Sequence, residues 1–229
     1  MSETQKYFTI DESCKGKYPN FKVGILVVEG IEPVQSDAII QTMKADLVAS
    51  IQTQYPHFTR EDLNKVPIIT AYNTYYKQFE KTYHVRAQME SIIAGKPMSN
   101  FSALLDAMFM AELKNIMLTA GHDLDTVKLP VTLAIANGSE SYVSINGKDK
   151  NPPQGDLYIK DGQGIISSII NGPDSRTKMT LGTKNALFAV YVPAEASVEN
   201  VRKHLEDIQN AITVFSKNAQ TKLLEVFVI

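Results

Sequence analysis

Apolar residues recur every three to four positions through the first half of the chain and every second position through much of the second half. The first rhythm is clearest in residues 101–125, FSALLDAMFMAELKNIMLTAGHDLD. Leu105, Phe109, Leu113 and Ile116 fall at helical spacing there, and Leu104, Met108 and Met117 widen the stripe almost all round. The spacing predicts one buried helix, with Ser102 as its N-cap and Gly121 as the left-handed residue that ends it. On that reading His122, Asp123 and Asp125 project from the exit of a rigid element.

Upstream, residues 6–10 and 21–29 read as strands, and the near-continuous apolar run of the second is the signature of a strand covered on both faces. Residues 36–52 form an amphipathic pattern through Ile39, Ile40, Met43, Leu47 and Ile51, with Ser36 as the expected cap. A second helix is predicted over 67–82 with an aromatic face of Tyr72, Tyr75, Tyr76 and Phe79, best read as core, and a short third over 85–94. After Pro130 the period changes to two. Asn137-Gly138 and Asp161-Gly162 each lie between apolar runs and predict hairpins, while Asn146-Gly147 closes a strand. Residues 185–192 read as another buried strand. Ser197 caps a last helix carrying Val198, Val201, Leu205, Ile208, Ile212 and Phe215, and the β-branched end LLEVFVI reads as a strand docked into the sheet. No repeat or linker interrupts the order. Helices first and strands second indicate an α+β protein, with all of residues 1–229 expected in a single domain.

Composition narrows the function classes. The 229 residues are 44% hydrophobic and 21% charged, with a net charge of -2, so any RNA contact is expected to be local and no DNA binding is expected. Cys14 is the only cysteine, which excludes an intramolecular disulfide and a thiolate zinc site. The four histidines have no metal-ligand spacing, and no dinucleotide, phosphate-loop, nucleophile-elbow or zinc-hydrolase motif is present, so neither cofactor nor metal is expected. With no apolar run near the roughly 20 residues that span a bilayer, the expectation is a cytoplasmic protein without a membrane partner.

Three polar clusters are candidates for chemistry. His122 with Asp123 and Asp125 offers an imidazole and orienting carboxylates, or else a histidine capping helix carbonyls above an Asp-shaped turn. Asn171-Gly172-Pro173-Asp174-Ser175-Arg176-Thr177 follows an apolar strand and suits the mouth of a ligand site, or a solvent turn with an Asp-Arg surface pair. Residues 83–91 place Arg86 and Gln88 where they could meet a phosphate or ribose, or on a solvated helix face.

The order of these motifs resembles the B3/B4 domain, the editing module of the bacterial phenylalanyl-tRNA synthetase β subunit, and its free-standing relatives. The resemblance rests on residues 104–118 followed by Thr119-Ala120-Gly121-His122-Asp123-Leu124-Asp125, and on Gly138 with Glu140. It continues through residues 152–156, Asp161 at a turn, the strand into Gly172-Pro173-Asp174, and then Thr177 and Thr183. Glu90-Ser91-Ile92 before Gly95-Lys96 also fits. It is strongest over residues 20–192, leaving 197–229 as a C-terminal helix and strand. It implies an α+β fold with a mostly antiparallel sheet flanked by helices, and a pocket between sheet and central helix. It further implies a free-standing aminoacyl-tRNA editing-type hydrolase that takes the 3′ end of a mischarged tRNA. The alternative is a non-catalytic binding module for an amino acid or similar small ligand. Residue by residue, His122 falls where the editing-site histidine sits. Asp174 falls where the synthetase has a glutamate that recognises the tyrosine hydroxyl, a reach shorter by one methylene. Ser167 and Ser168 lie on the pocket strand, Asn171 and Gly172 on its turn, with Arg176 set for phosphate and Thr177 beside it. Pro173 departs from the glycine-rich turn of the synthetase.

Overall fold

The computed structural model describes residues 3–193 and 195–229. In chain order the elements are α1 (Glu3–Tyr7), β1 (Phe8–Ile10), β2 (Lys22–Glu29), α2 (Ala38–Gln54), α3 (Arg60–Leu63), α4 (Pro67–Lys77), α5 (His84–Ile93) and α6 (Ala103–Asn115). Then follow β3 (Leu118–Asp123), β4 (Val131–Ile135), β5 (Tyr142–Val143), β6 (Asp149–Lys150), β7 (Leu157–Asp161), β8 (Gly164–Ser168), β9 (Gly172–Pro173), β10 (Ala186–Val192), α7 (Val198–Phe215) and β11 (Gln220–Val228). The strands form a four-stranded sheet, β11-β2-β10-β3, a five-stranded sheet, β1-β4-β7-β8-β9, and the small β5-β6 ribbon. All pairings are antiparallel except β1 with β4.

The four-stranded sheet is the middle layer, and its sequence shows why. Along β2, Val23, Ile25 and Val27 face one core while Leu26 and Val28 face another; along β10, Leu187, Ala189 and Tyr191 alternate in the same way with Ala186, Phe188 and Val190. Burial on both faces accounts for the unbroken apolar runs of these two strands. One face packs on α2, α6 and α7, and α7 sits so close that a Cβ at Gly24 would come within 2.9 Å of Val201 Cγ1. The other face packs on α4, α5 and the five-stranded sheet.

Helix α4 pins these layers together through tyrosine hydroxyls. Tyr72 Oη donates to Tyr191 O in β10 at 2.6 Å and accepts from Leu118 N in β3 at 3.0 Å. Tyr75 Oη donates to Asp156 at 2.7 Å and accepts from Leu157 N in β7 at 2.7 Å. Tyr76 Oη reaches Ile169 O, and Tyr83 Oη, whose ring stacks on Tyr72 at 4.1 Å, reaches Ile116 O. The aromatic face read as core is core, with each hydroxyl given a backbone or carboxylate partner, as burial of a phenol demands.

Several expectations are corrected. The central helix begins at its Ser102 cap but stops at Asn115, with Ile116 rather than Gly121 in the left-handed conformation at φ 54°. Residues 118–123 instead pair with β10 in register from Leu118↔Tyr191 to Asp123↔Ala186, so His122 stands on a strand and not at a helix exit. Ladder pairing outweighs the apolar periodicity here, and Gly121 serves packing: its Cβ would fall 2.3 Å from Met179 Cε. The Asn137-Gly138 hairpin does not form. Both edges of β4 are already taken, by β1 and β7, and the 137–138 turn is closed by the Glu140 carboxylate accepting from Asn137 N and Gly138 N. Tyr142–Val143 pairs across Asn146-Gly147 with Asp149–Lys150. The Asp161-Gly162 hairpin forms as expected. Asp37 caps α2 in place of Ser36, accepting from Ile39 N and Ile40 N. Residues 6 and 7 belong to α1, so the first strand is only Phe8–Ile10.

Candidate functional site

β3 is an edge strand of its sheet, and along its free edge lies a cavity of about 580 Å³. α6 supplies Leu105, Met108, Phe109 and Glu112 to one wall, and β3 supplies Leu118, Thr119, Ala120 and Gly121. Residues 168–173, the end of β8 and its turn into β9, supply the opposite wall. Phe101, 42% exposed, and Ile145, 46% exposed, mark the mouth, while Glu112, Ser168 and Tyr191 are almost fully buried at the inner end. The size and the mainly apolar lining with a few polar groups are those of a small-ligand site.

Local chemistry fixes these walls. Ser168 Oγ accepts from Asn171 N at 3.0 Å, which turns the chain back after β8. Gly172 sits at φ 77°, where a side chain is disfavoured, and its carbonyl accepts from Tyr142 Oη at 2.6 Å. Asn171 Nδ2 donates to Asn151 O. Ser167 points away, into the core, and shares a 2.5 Å hydrogen bond with Tyr191 Oη. At the mouth, Phe101 is held by a buried clamp: Lys44 Nζ donates to Ser99 O, Asn100 Oδ1 and Asp106 Oδ2, and Asp106 Oδ1 accepts from Phe101 N.

His122, Asp174, Arg176 and Thr177 come together in a second, adjacent cluster that is closed to solvent at its centre and absent from the cavity lining. Thr177 Oγ donates to Asp174 Oδ1, which also accepts from Thr177 N. The hydroxyl can therefore only accept from His122 Nδ1, 2.8 Å away. That assigns the ring proton to Nδ1 and leaves Nε2 a bare lone pair, buried without a hydrogen-bond partner. Burial pushes the His122 imidazolium down to about 3, so the ring is neutral at any physiological pH. Burial also raises Asp174 above its ordinary range, against the hydrogen bonds from Thr177. Arg176 donates to Asp161 Oδ1 at 2.9 Å and to Thr126 O, and lies 3.7 Å from Asp174 Oδ2. Asp161 is raised by burial but more strongly lowered by Lys128 N and Arg176. Asp123 and Asp125 shape the loop after β3, accepting from Thr183 Oγ1 and Asn185 Nδ2.

Of the residues singled out in the sequence, Ser168, Asn171 and Gly172 line the cavity, and His122, Asp174, Arg176 and Thr177 form the cluster beside it. Arg86 is turned inward, bonded to Asn64 Oδ1 and paired with Glu90. No Lys or Arg lines the cavity among the described residues; Lys96, exposed, lies in an adjoining groove that shares Phe101 and Phe109. The residue sequence reasoning missed is Glu112. Its Oε2 accepts from Thr119 N at 3.0 Å, its Oε1 has no partner, and burial pushes its carboxyl up to about 8. The signal available in sequence was a second acid, after Asp106, inside the apolar helix.

The molecule is an α+β protein with an apolar cavity at a sheet edge, walled by a central helix and a strand-turn. Within that class the chain belongs to the B3/4 domain family, whose model matches residues 73–227. The fold is similar to a crystal structure of an N-terminal fragment of the phenylalanyl-tRNA synthetase β-subunit from Pyrococcus horikoshii, at TM-score 0.50 and 12% identity. The match covers 94% of this chain and 50% of that one, so the chain spans half the length of the fragment. No curated protein matches the sequence. Among the described residues, no helix is long and apolar enough to cross a membrane, and no group of three His, Cys, Asp or Glu could hold a metal ion.

Proposed function

We propose that the cavity along β3 is an aminoacyl-binding pocket and that the chain works as a binding module for an amino acid or a similar small group. The observation that carries this reading is the convergence of Ser168, Asn171 and Gly172 on an apolar wall formed by α6 and β3, in a cavity within the size range of small-ligand sites. Family membership supports the same ligand class. The editing-type hydrolase, acting on the 3′ end of a mischarged tRNA, is the second reading. A neutral imidazole with a free Nε2 is the form a general base takes, and Lys96 in the adjoining groove offers local charge for a phosphate. Against it, His122 lies behind the pocket wall and Arg176 is committed to Asp161.

The test combines thermal shift with a panel of amino acids and amino-acid amides, and a deacylation time course on tyrosine-charged phenylalanine-tRNA with correctly charged controls. Stabilisation of the native chain, lost when Leu105→Trp fills the cavity, supports the binding module. Selective ester loss that requires His122 moves the assignment to the hydrolase. Neither stabilisation nor hydrolysis anywhere in the panel refutes the pocket.

A further inference from the structure

We infer that Glu112 is the recognition group of the pocket, and that the ligand it selects carries a primary ammonium and no free carboxylate. The inference rests on the aminoacyl-pocket reading and specifies which form of the amino acid enters. Glu112 is 1% exposed, at the inner end of the cavity, and only one of its oxygens is used. A buried carboxyl oxygen without a partner is costly, and such groups are retained where a ligand completes them. Among the described residues, no lysine or arginine in the lining neutralises it. The titratable groups around it are the phenols of Tyr72, Tyr76 and Tyr83, from α4 and the loop before α5, Tyr191 in the far wall, and His204 of α7, which bonds Thr119 Oγ1 and which burial holds neutral; none is cationic. His84 lines the rim, and desolvation lowers it below the ordinary imidazole range, away from the charged form. The site thus holds one acid and no counter-ion, so the cation must come with the ligand.

The same lining argues against a free carboxylate. An anionic group in this cavity would meet no guanidinium or ammonium and would lie against a second acid, which is unfavourable in an apolar space. An amino acid whose carboxyl is tied up as an ester or amide meets neither obstacle. Its ammonium pairs with Glu112 while its neutral carbonyl faces Asn171 and the 171–173 turn.

Binding then has a proton signature. Glu112 is mostly protonated at pH 7, since burial holds it near 8, and pairing with an ammonium ionises it. The complex therefore releases close to one proton at pH 6 and less as pH approaches the ammonium's own range of about 7.7–8, and it tightens as pH rises from 6 towards 7. The experiment is calorimetry on the full chain with amino-acid amides, their N-acetylated counterparts and the free amino acids, in buffers of different ionisation enthalpy. The amide is expected to bind at least tenfold more tightly than either comparison compound, with proton release. Glu112→Gln, which keeps an acceptor for Thr119 N, is expected to lose that preference and the proton release while melting no lower than the native chain at pH 7. An N-acetyl amide that binds as tightly as the amide, or a Glu112→Gln chain that keeps the preference, overturns the role of Glu112 and leaves the pocket standing. If no compound binds at all, the pocket reading and this inference fall together.

Discussion

Thr177→Val tests the cluster beside the cavity with the least collateral change. Valine matches threonine in shape, so no void opens and only the hydroxyl is lost. That hydroxyl has two jobs: it accepts from His122 Nδ1 at 2.8 Å and donates to Asp174 Oδ1. Removing it leaves a fully buried imidazole N–H unsatisfied, at a cost of about 1–3 kcal/mol. Asp174 keeps the Thr177 N–H and the nearby Arg176, so its loss is smaller, about 1 kcal/mol. The total is about 2–4 kcal/mol, and at about 2–4 °C per kcal/mol for a chain of this size the melting temperature should fall by roughly 4–16 °C. Urea unfolding at pH 7.5 gives the free energy directly, and Thr177→Ser, which restores the hydroxyl, should recover most of it. If Thr177→Val unfolds within about 0.5 kcal/mol of the native chain, the hydroxyl is not the link between His122 and Asp174, and the tautomer assignment fails with it.

Other consequences follow from the same geometry. Glu112 has a folded-state value of about 8 against 4.5 ordinarily, so it favours the folded state below about pH 4.5 and that contribution is lost as pH rises through 8; Glu112→Gln should gain stability over the native chain at pH 8.5–9 in denaturant titrations. His122 and His204, pushed down to about 3 and about 4 by burial, stay neutral when the unfolded chain takes up protons. Stability should therefore fall as pH drops from about 6.5 towards 3, and His204→Asn should flatten part of that slope in acid titrations followed by circular dichroism. Lys44→Met strands the buried Asp106 carboxylate and two acceptors in the loop before α6, with an expected loss of about 3–5 kcal/mol by chemical denaturation.

Most of the fold was legible because local chemistry and tertiary demand agree. Ser102 and Ser197 cap where expected, residues 185–192 are buried on both faces, and the closing segment 220–228 docks beside β2. The failures share one cause, a strand's dependence on a distant partner. Leu118 and Ala120 can extend a helix by pattern as well as they line a strand, and only the presence of β10 decides between them. Asn137-Gly138 has the composition of a tight turn, but β4 finds its neighbours 20 or more residues away. The candidate site was half legible. Polar residues near a glycine turn stand out in sequence, so Ser168, Asn171 and Gly172 were found. Which of them share a cavity and which turn into the core depends on strand register, which separated Ser168 from Ser167 by one pleat. Glu112 passed unnoticed because its significance lies in having one unused oxygen, a property of the surroundings.

The tyrosines of α4 bear on how the molecule comes apart. Tyr72 holds β3 and β10, Tyr75 holds Asp156 and β7, and Tyr76 holds the segment after β8. One short helix thus has a grip on both large sheets and on two of the cavity walls. Neither sheet can loosen alone without stripping phenol hydroxyls of partners in a dry interior. Amide hydrogens in β3, β7 and β10 should accordingly exchange at one common rate, as members of a single cooperative unit, with the pocket persisting until that unit opens and vanishing when it does.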